Sequence, residues 1–305
     1  MKNKLMILGS VCLLATGFAS CSDDDLGDTI FNTNPSVDYL DKSSVTFPLD
    51  TFIKVNYNEP YNIRMIYRLE DKATDMSKNL TPATYDNSVD MAVLTKYLWY
   101  DAYKAVTGSE DFMKTYSPRI IQLCGSKNYN PSQGTEVLGD ASSGVKINLY
   151  NVNNLGSAIK LDDYDALNQW YFTTLHHEFQ HILNQKKPYD TSFDLISEGN
   201  YVSGDWYQYN TDIQALPLGF IRNYAMSEPA EDYAELYSQY LTNNDELWNS
   251  KMEKAGEEGE AIIEQKLAHI RTYMRQNWNI DLEELRAVVQ RRAVEYKKLD
   301  FEHLK

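Results

Sequence analysis

The stretch Leu175-His176-His177-Glu178-Phe179-Gln180-His181-Ile182 holds the pattern H-E-x-x-H inside a run that reads as an amphipathic helix. On a helix of 3.6 residues per turn, His177 and His181 project from one face, so their imidazoles can grip one ion. Glu178 lies about 100° round from His177, near enough to hold a water beside that ion without ligating it. Two imidazoles with an adjacent carboxylate at this spacing are the chemistry of a zinc ion, whose bound water loses its proton near neutral pH. Read without that chemistry, the same histidines would only partner core or surface groups.

The flanks support the helix. Residues 162–186 contain no Gly or Pro, and Leu167, Trp170, Tyr171, Leu175, Phe179, Ile182 and Leu183 recur at three- and four-residue spacing. Asp162, Asp163 and Asp165 crowd its start, and Lys186 and Lys187 close it before Pro188, each sign matching the helix dipole. His176 points about 100° away from the ligand face and reads as a packing or supporting residue.

A catalytic zinc takes three protein ligands and leaves the fourth position to water, so one ligand is missing from this helix. A third histidine of the metzincin type is absent: Asn184 stands at its glycine position and Lys187 at its histidine position. His269 and His303 fall in a charged C-terminal region, so a glutamate is the better candidate. The segment from Ser227 to Tyr237 supplies two. Ser227 suits an N-cap, Pro229 a first turn, and Tyr233, Leu236, Tyr237, Tyr240 and Leu241 form an apolar stripe. Glu231 and Glu235 share one helix face; one can ligate while the other orients a ligating imidazole through its second ring nitrogen. The plainer alternative is a pair of surface glutamates.

Composition sets the outer limits. With 305 residues, 43% of them hydrophobic and 12% aromatic, the chain can bury a substantial core. A net charge of −15 argues against a nucleic-acid partner, because no basic surface is available to neutralise phosphates. At the N-terminus, Lys2 and Lys4 precede an apolar run over 5–18, too short to span a membrane comfortably and built like an export signal. The run ends at Phe18-Ala19-Ser20-Cys21, which resembles a bacterial lipobox with Cys21 as the lipidated residue, although Phe18 replaces the usual aliphatic side chain. An ordinary secretory signal that happens to contain a cysteine is the alternative. Residues 1–21 are thus expected to be removed as a signal peptide, 22–45 to form a flexible acidic tether, and 46–305 to fold. Asp23-Asp24-Asp25 resembles a surface-export signal of Bacteroidetes-type lipoproteins, which leaves the cell surface or the periplasmic face of the outer membrane as the location. Cys124 is then alone in the mature chain, so no intramolecular disulfide is expected.

Within the folded part, residues 52–57 and 63–68 are rich in β-branched and aromatic side chains around Asn58-Glu59-Pro60 and predict a hairpin. A helix is predicted from a cap at Ser88 to Gly108, with Met91, Leu94, Leu98 and Ala102 as its stripe and Trp99 beside it. Residues 119–124 and 145–150 read as strands, and 125–144, dense in Gly, Ser and Asn, as a long loop. Residues 251–305 read as a helical lobe. Ile263, Leu267, Ile270 and Met274 mark one helix, Asp281 and Glu284 cap a second, and charged residues cover the solvated faces. The fold class is α+β: a small mixed sheet, an active-site helix and a mostly helical C-terminal lobe.

H-E-F-Q-H followed some fifty residues later by E-D-Y-A-E resembles the gluzincin arrangement. The chain is similar to the zinc-binding metallopeptidase lipoproteins of Bacteroidetes nutrient-import loci, a likeness extended by Leu98-Trp99-Tyr100, residues 119–126 and 144–150, and Asn279-Ile280-Asp281-Leu282. That resemblance implies a zincin-like metalloprotease fold, peptide-bond hydrolysis and one Zn2+ ion. It assigns His177, His181 and Glu231 as ligands, Glu178 as general base and Glu235 as the partner that orients a ligand. Tyr224, seven residues before Glu231, matches a tyrosine that in lethal-factor-like gluzincins donates a hydrogen bond to the tetrahedral intermediate. The zincin layout also implies an edge strand, residues 145–150, above the metal. The implied partners are a peptide or protein substrate, the membrane through a lipid anchor, and an outer-membrane transporter complex. A weakly active or inactive substrate-binding lipoprotein attached to the importer is the alternative from another class.

Overall fold

Leu49, Ile53, Tyr57 and Tyr61 recur every fourth residue, and this period decides the first folded segment. The computed structural model, which describes residues 40–69, 78–130, 134–142, 144–209 and 212–304, makes this segment helical. Helix α1, Phe47–Ile53, starts with Pro48 in its first turn and continues through a π-turn at Lys54–Asn58 and a last turn at Glu59–Tyr61. The wider π-turn lies just ahead of Pro60, which has no N–H to donate to the ladder. Leu49, Tyr57 and Tyr61 are fully buried. Helical burial thus overrides the β propensity of residues 52–57, and the predicted hairpin does not form. The signal segment 1–21, with Cys21, and residues 22–39 of the tether lie outside the described residues. Val45–Lys305 form one compact unit.

Strand β1, Arg64–Ile66, pairs in parallel with β2, Ile120–Leu123, Met65 standing opposite Ile121. The crossover between them is helical, as a parallel connection requires. It comprises α2 (Tyr85–Thr95), a π-turn at Lys96–Tyr100, α3 (Asp101–Thr107) and α4 (Asp111–Tyr116). The helix begins earlier than predicted, with Thr84 at its N-cap. Ser88 sits inside the first turns, its hydroxyl donating to the Thr84 carbonyl at 2.6 Å. It stops at Gly108, whose φ of 73° is left-handed.

The predicted loop 125–144 contains three short strands: the antiparallel pair β3 (Asn128–Asn130) and β4 (Thr135–Val137), then β5 (Gly139–Ser142). Strand β6, Lys146–Leu149, lies between β2 and β5, parallel to the first and antiparallel to the second, in the order β1-β2-β6-β5. The edge near the motif is therefore β5, not the predicted 145–150. Backbone pairing holds these strands of three or four residues, too short to carry a side-chain pattern that would announce them. Ile121, Leu123, Ile147 and Leu149 are fully buried on one face, and Gln122 and Asn148, on the other, are buried as well, so both faces of these two strands are covered.

The motif helix α5, Thr173–Lys186, continues without a break from Tyr164–Leu167 and a π-turn at Asn168–Phe172. Asp163 caps its start, accepting the Ala166 N–H at 3.1 Å. Phe179, next to Glu178, fixes the rotation of α5. Its ring meets Trp99, Tyr103 and Phe112 edge-on at 5.5, 5.1 and 5.9 Å. Helix α6, Pro229–Thr242, packs along α5. Helix α7, Asp245–Trp278, bends at Gly256 (φ 67°, ψ 177°), a conformation open only to glycine, and α8, Leu282–Glu295, follows with Asp281 accepting the Glu283 and Glu284 N–H groups. The apolar stripe of α7 is buried as predicted, but Lys266 is not on a solvated face: it is 0% exposed. No helix among the described residues is long and apolar enough to cross a membrane.

Candidate metal centre

Helix geometry brings His177 and His181 to one side of α5, and α6 presents Glu231 to the same side. The His177 Nε2 lies 3.0 Å from Glu231 Oε2, His181 Nε2 lies 3.3 Å from that oxygen, and the two Nε2 atoms are 3.1 Å apart. Zinc ligands about 2.0–2.1 Å from the ion at tetrahedral angles stand about 3.3 Å from one another, so this donor set fits such an ion. His177, His181 and Glu231 make up the one three-donor group found among the described residues. His269 and His303 take no part: the first packs on Phe193 and the second is exposed beside Asp300.

The N-terminus of α6 differs from the prediction in one detail. Glu228 occupies the N-cap with extended backbone, and the Ser227 hydroxyl turns back to donate to the Tyr224 carbonyl at 2.7 Å. This ties the Asn223–Met226 turn, which carries Tyr224, to the helix that carries Glu231. The Tyr224 ring lies 6.2 Å from that of His177, and Trp206 meets it edge-on at 5.0 Å.

Glu235, one turn beyond Glu231 on α6, approaches the far nitrogen of His177: Oε1 is 3.3 Å from Nδ1, without the alignment of a full hydrogen bond. Its other oxygen is 3.5 Å from Arg222 Nη1. Arg222 was not found by sequence reasoning, since a lone arginine thirteen residues away from its partner carries no periodic or motif signal.

The electrostatics favour a cation at the cluster. Burial opposes protonation of His177, yet Glu235, Glu231 and Glu178 outweigh it and hold the imidazole well above its ordinary pKa. Burial likewise opposes ionisation of Glu231, and hydrogen bonds from His177 and His181 reverse that, keeping its carboxyl below the usual range. Glu235 is also held low, its burial offset by Arg222 and His177. Tyr224 is raised by burial and by the charges of Glu231, Glu235 and Glu178, so it stays a hydrogen-bond donor at neutral pH. Glu178 is half-buried on α5 and close enough to act on both His177 and Tyr224.

His176 faces the other way. It is buried, with Nδ1 2.9 Å from the Tyr103 hydroxyl, which in turn lies 2.8 Å from that of Tyr237. Desolvation lowers its pKa to about 3, so it stays neutral as a packing residue.

A small mixed sheet, a helical lobe and a His-His-Glu cluster between two packed helices define an α+β protein with three donors that could hold a metal ion. Residues 42–283 match the family described as "Putative zinc-binding metallo-peptidase", and the chain belongs to that family. It is similar to a crystal structure titled as a zinc-binding metallo-peptidase of the same description from Bacteroides caccae ATCC 43185. The identity is 35% over 91% of this chain and 100% of that chain, with a TM-score of 0.73. No curated protein matches the chain.

Proposed function

We propose that the protein is a zinc-dependent peptidase in which His177, His181 and Glu231 hold one Zn2+. The observation that carries this reading is the convergence of three donor atoms within 3.0–3.3 Å of one another beside Glu178. When bound, the ion acidifies water and polarises a substrate carbonyl. Glu178 takes the proton of the attacking water and passes it to the leaving amine. Tyr224, kept protonated, donates to the oxygen of the tetrahedral species. Glu235, held ionised by Arg222, orients His177 through Nδ1. Strand β5 presents the sheet edge nearest α5, where an extended peptide can add by backbone pairing.

The test is elemental analysis of the purified chain with a peptide-cleavage assay. Wild type is expected to carry one zinc, and His181→Ala and Glu231→Ala to lose it. Glu178→Gln should keep zinc while turnover falls at least about 100-fold. Equal turnover by Glu178→Gln and wild type would sink the mechanism. On the signal-like N-terminus and its Cys21 we further propose an outer-membrane lipoprotein, tethered by residues 22–45, that works beside an outer-membrane transporter. Incorporation of labelled fatty acid by wild type but not by Cys21→Ser tests the anchor.

A further inference from the structure

Glu231 and Asp232 are consecutive in the first turn of α6, so their side chains leave the helix about 100° apart. Glu231 faces the histidines of α5, whereas Asp232 turns into the protein and meets α7. There its Oδ2 accepts from Lys266 Nζ at 2.6 Å and from the Tyr201 hydroxyl at 3.0 Å. Lys266 also donates to the Gly219 carbonyl at 2.8 Å, and its ammonium lies 3.9 Å from the centre of the Phe220 ring. Both charged side chains are sealed from solvent, at 0% and 1% exposure. The segment after Tyr201 is tied in turn to the Tyr224 turn, the Val202 N–H donating to the Met226 carbonyl at 2.8 Å.

We propose that Lys266, acting through Asp232, which Tyr201 also holds, is a positioning residue that sets the rotation of α6 and thereby aims Glu231 at the metal. The inference rests on the reading of Glu231 as a ligand. A buried ion pair contributes little net stability, because desolvation cancels most of its attraction, and apolar residues of similar volume can replace it without loss. What it supplies is direction. The contacts to Asp232, Gly219 and Phe220 converge on one ammonium, and a helix turned by only about 10° would swing a carboxylate roughly 6 Å from its axis by about 1 Å. Such a displacement exceeds what a ligand constellation tolerates. Lys266 thus joins the C-terminal lobe to the metal centre without touching it.

The experiment measures zinc affinity of the full chain by competition with a chelator, well below the unfolding temperature of the metal-free protein, so that a change in stability alone leaves the affinity unmoved. The double variant Lys266→Met with Asp232→Leu keeps the volume buried and removes the polar clamp. It is expected to unfold as cooperatively as wild type and to bind zinc at least about 10-fold more weakly. Tyr201→Phe deletes one hydrogen bond and is expected to weaken binding by about 3-fold. Wild-type affinity in the folded double variant would overturn the proposal. Should that variant fail to fold, wild-type affinity in Tyr201→Phe would overturn it instead. Wild type that takes up no zinc would remove the metal-centre reading itself, and the inference with it.

Discussion

Glu235 is the residue on which the proposed chemistry leans without contact with substrate. It meets the outer nitrogen of His177 and is itself paired with Arg222, so it couples a ligand's orientation to a fixed positive charge. Glu235→Ala should weaken zinc binding by about 10–100-fold, as loss of a ligand's partner does elsewhere, and chelator competition would measure it. Asp90 allows a separate test at this scale. It is half-buried on α2, and burial, with the Asp86 charge nearby, raises its pKa from 3.8 to about 6. Between those pH values the folded chain binds more protons than the unfolded chain, so this site's contribution to stability falls as pH rises. Keeping the carboxylate ionised therefore costs stability in full above pH 6, in part near pH 4, and almost nothing at about pH 3, below the unfolded value of 3.8. Asp90→Asn should raise the unfolding temperature at pH 7.5, by the equivalent of about 1 kcal/mol once solvent screening is allowed for, and have almost no effect at about pH 3. Equal gains at both pH values would exclude the ionisation as the cause.

At the scale of elements, the site depends on how closely β5 lies against α5. A Cβ added at Gly139 would stand 2.4 Å from the Thr174 methyl and 2.9 Å from the Asn148 carbonyl, and one at Gly144 would stand 2.4 Å from the Gln185 amide oxygen. Strand β5 thus starts against the first turn of α5, on the face that Thr174 shares with Glu178, and Gly144, beyond the end of the strand, lies against Gln185 in the last turn. Gly139→Ala should lift this contact and cost about 1–3 kcal/mol, read as a lower unfolding midpoint in urea. Adding Thr174→Ala should recover part of that loss, because it removes one of the two clashing atoms. No recovery would place the strain at Asn148 alone. The glycines that make this approach tolerable are the residues that make 125–144 read as a loop, since a strand three or four residues long with few β-branched side chains has no usable period.

At the scale of the whole molecule, a bound ion should stabilise the fold it bridges, because the three ligands come from two helices about fifty residues apart in sequence. Saturation at 100 times the dissociation constant contributes about 2.7 kcal/mol, which for a domain of this size corresponds to a rise of roughly 5–10 °C in Tm. Calorimetry with and without zinc would show it in wild type and in Glu178→Gln alike, and would show none in His181→Ala. A rise undiminished in His181→Ala would locate the ion elsewhere.

Local periodicity and spacing were enough for α5 with its His177–His181 pair, the α6 stripe and the C-terminal helices, because each is written as a pattern three or four residues long; spacing left Glu231 and Glu235 open as the third ligand, and only the family resemblance chose Glu231. Residues 47–61 carry both signals, the four-residue period of Leu49, Ile53, Tyr57 and Tyr61 and the β propensity of 52–57, and burial of the periodic face decides for the helix. What only the tertiary structure decided are relations between distant segments: the parallel pairing of β1 with β2, the placing of β5 at the edge, the Arg222–Glu235 contact and the sealed Lys266–Asp232 pair. These are set by packing and by the energetic demand that every buried charge find a partner, and no short window of sequence records which partner that is.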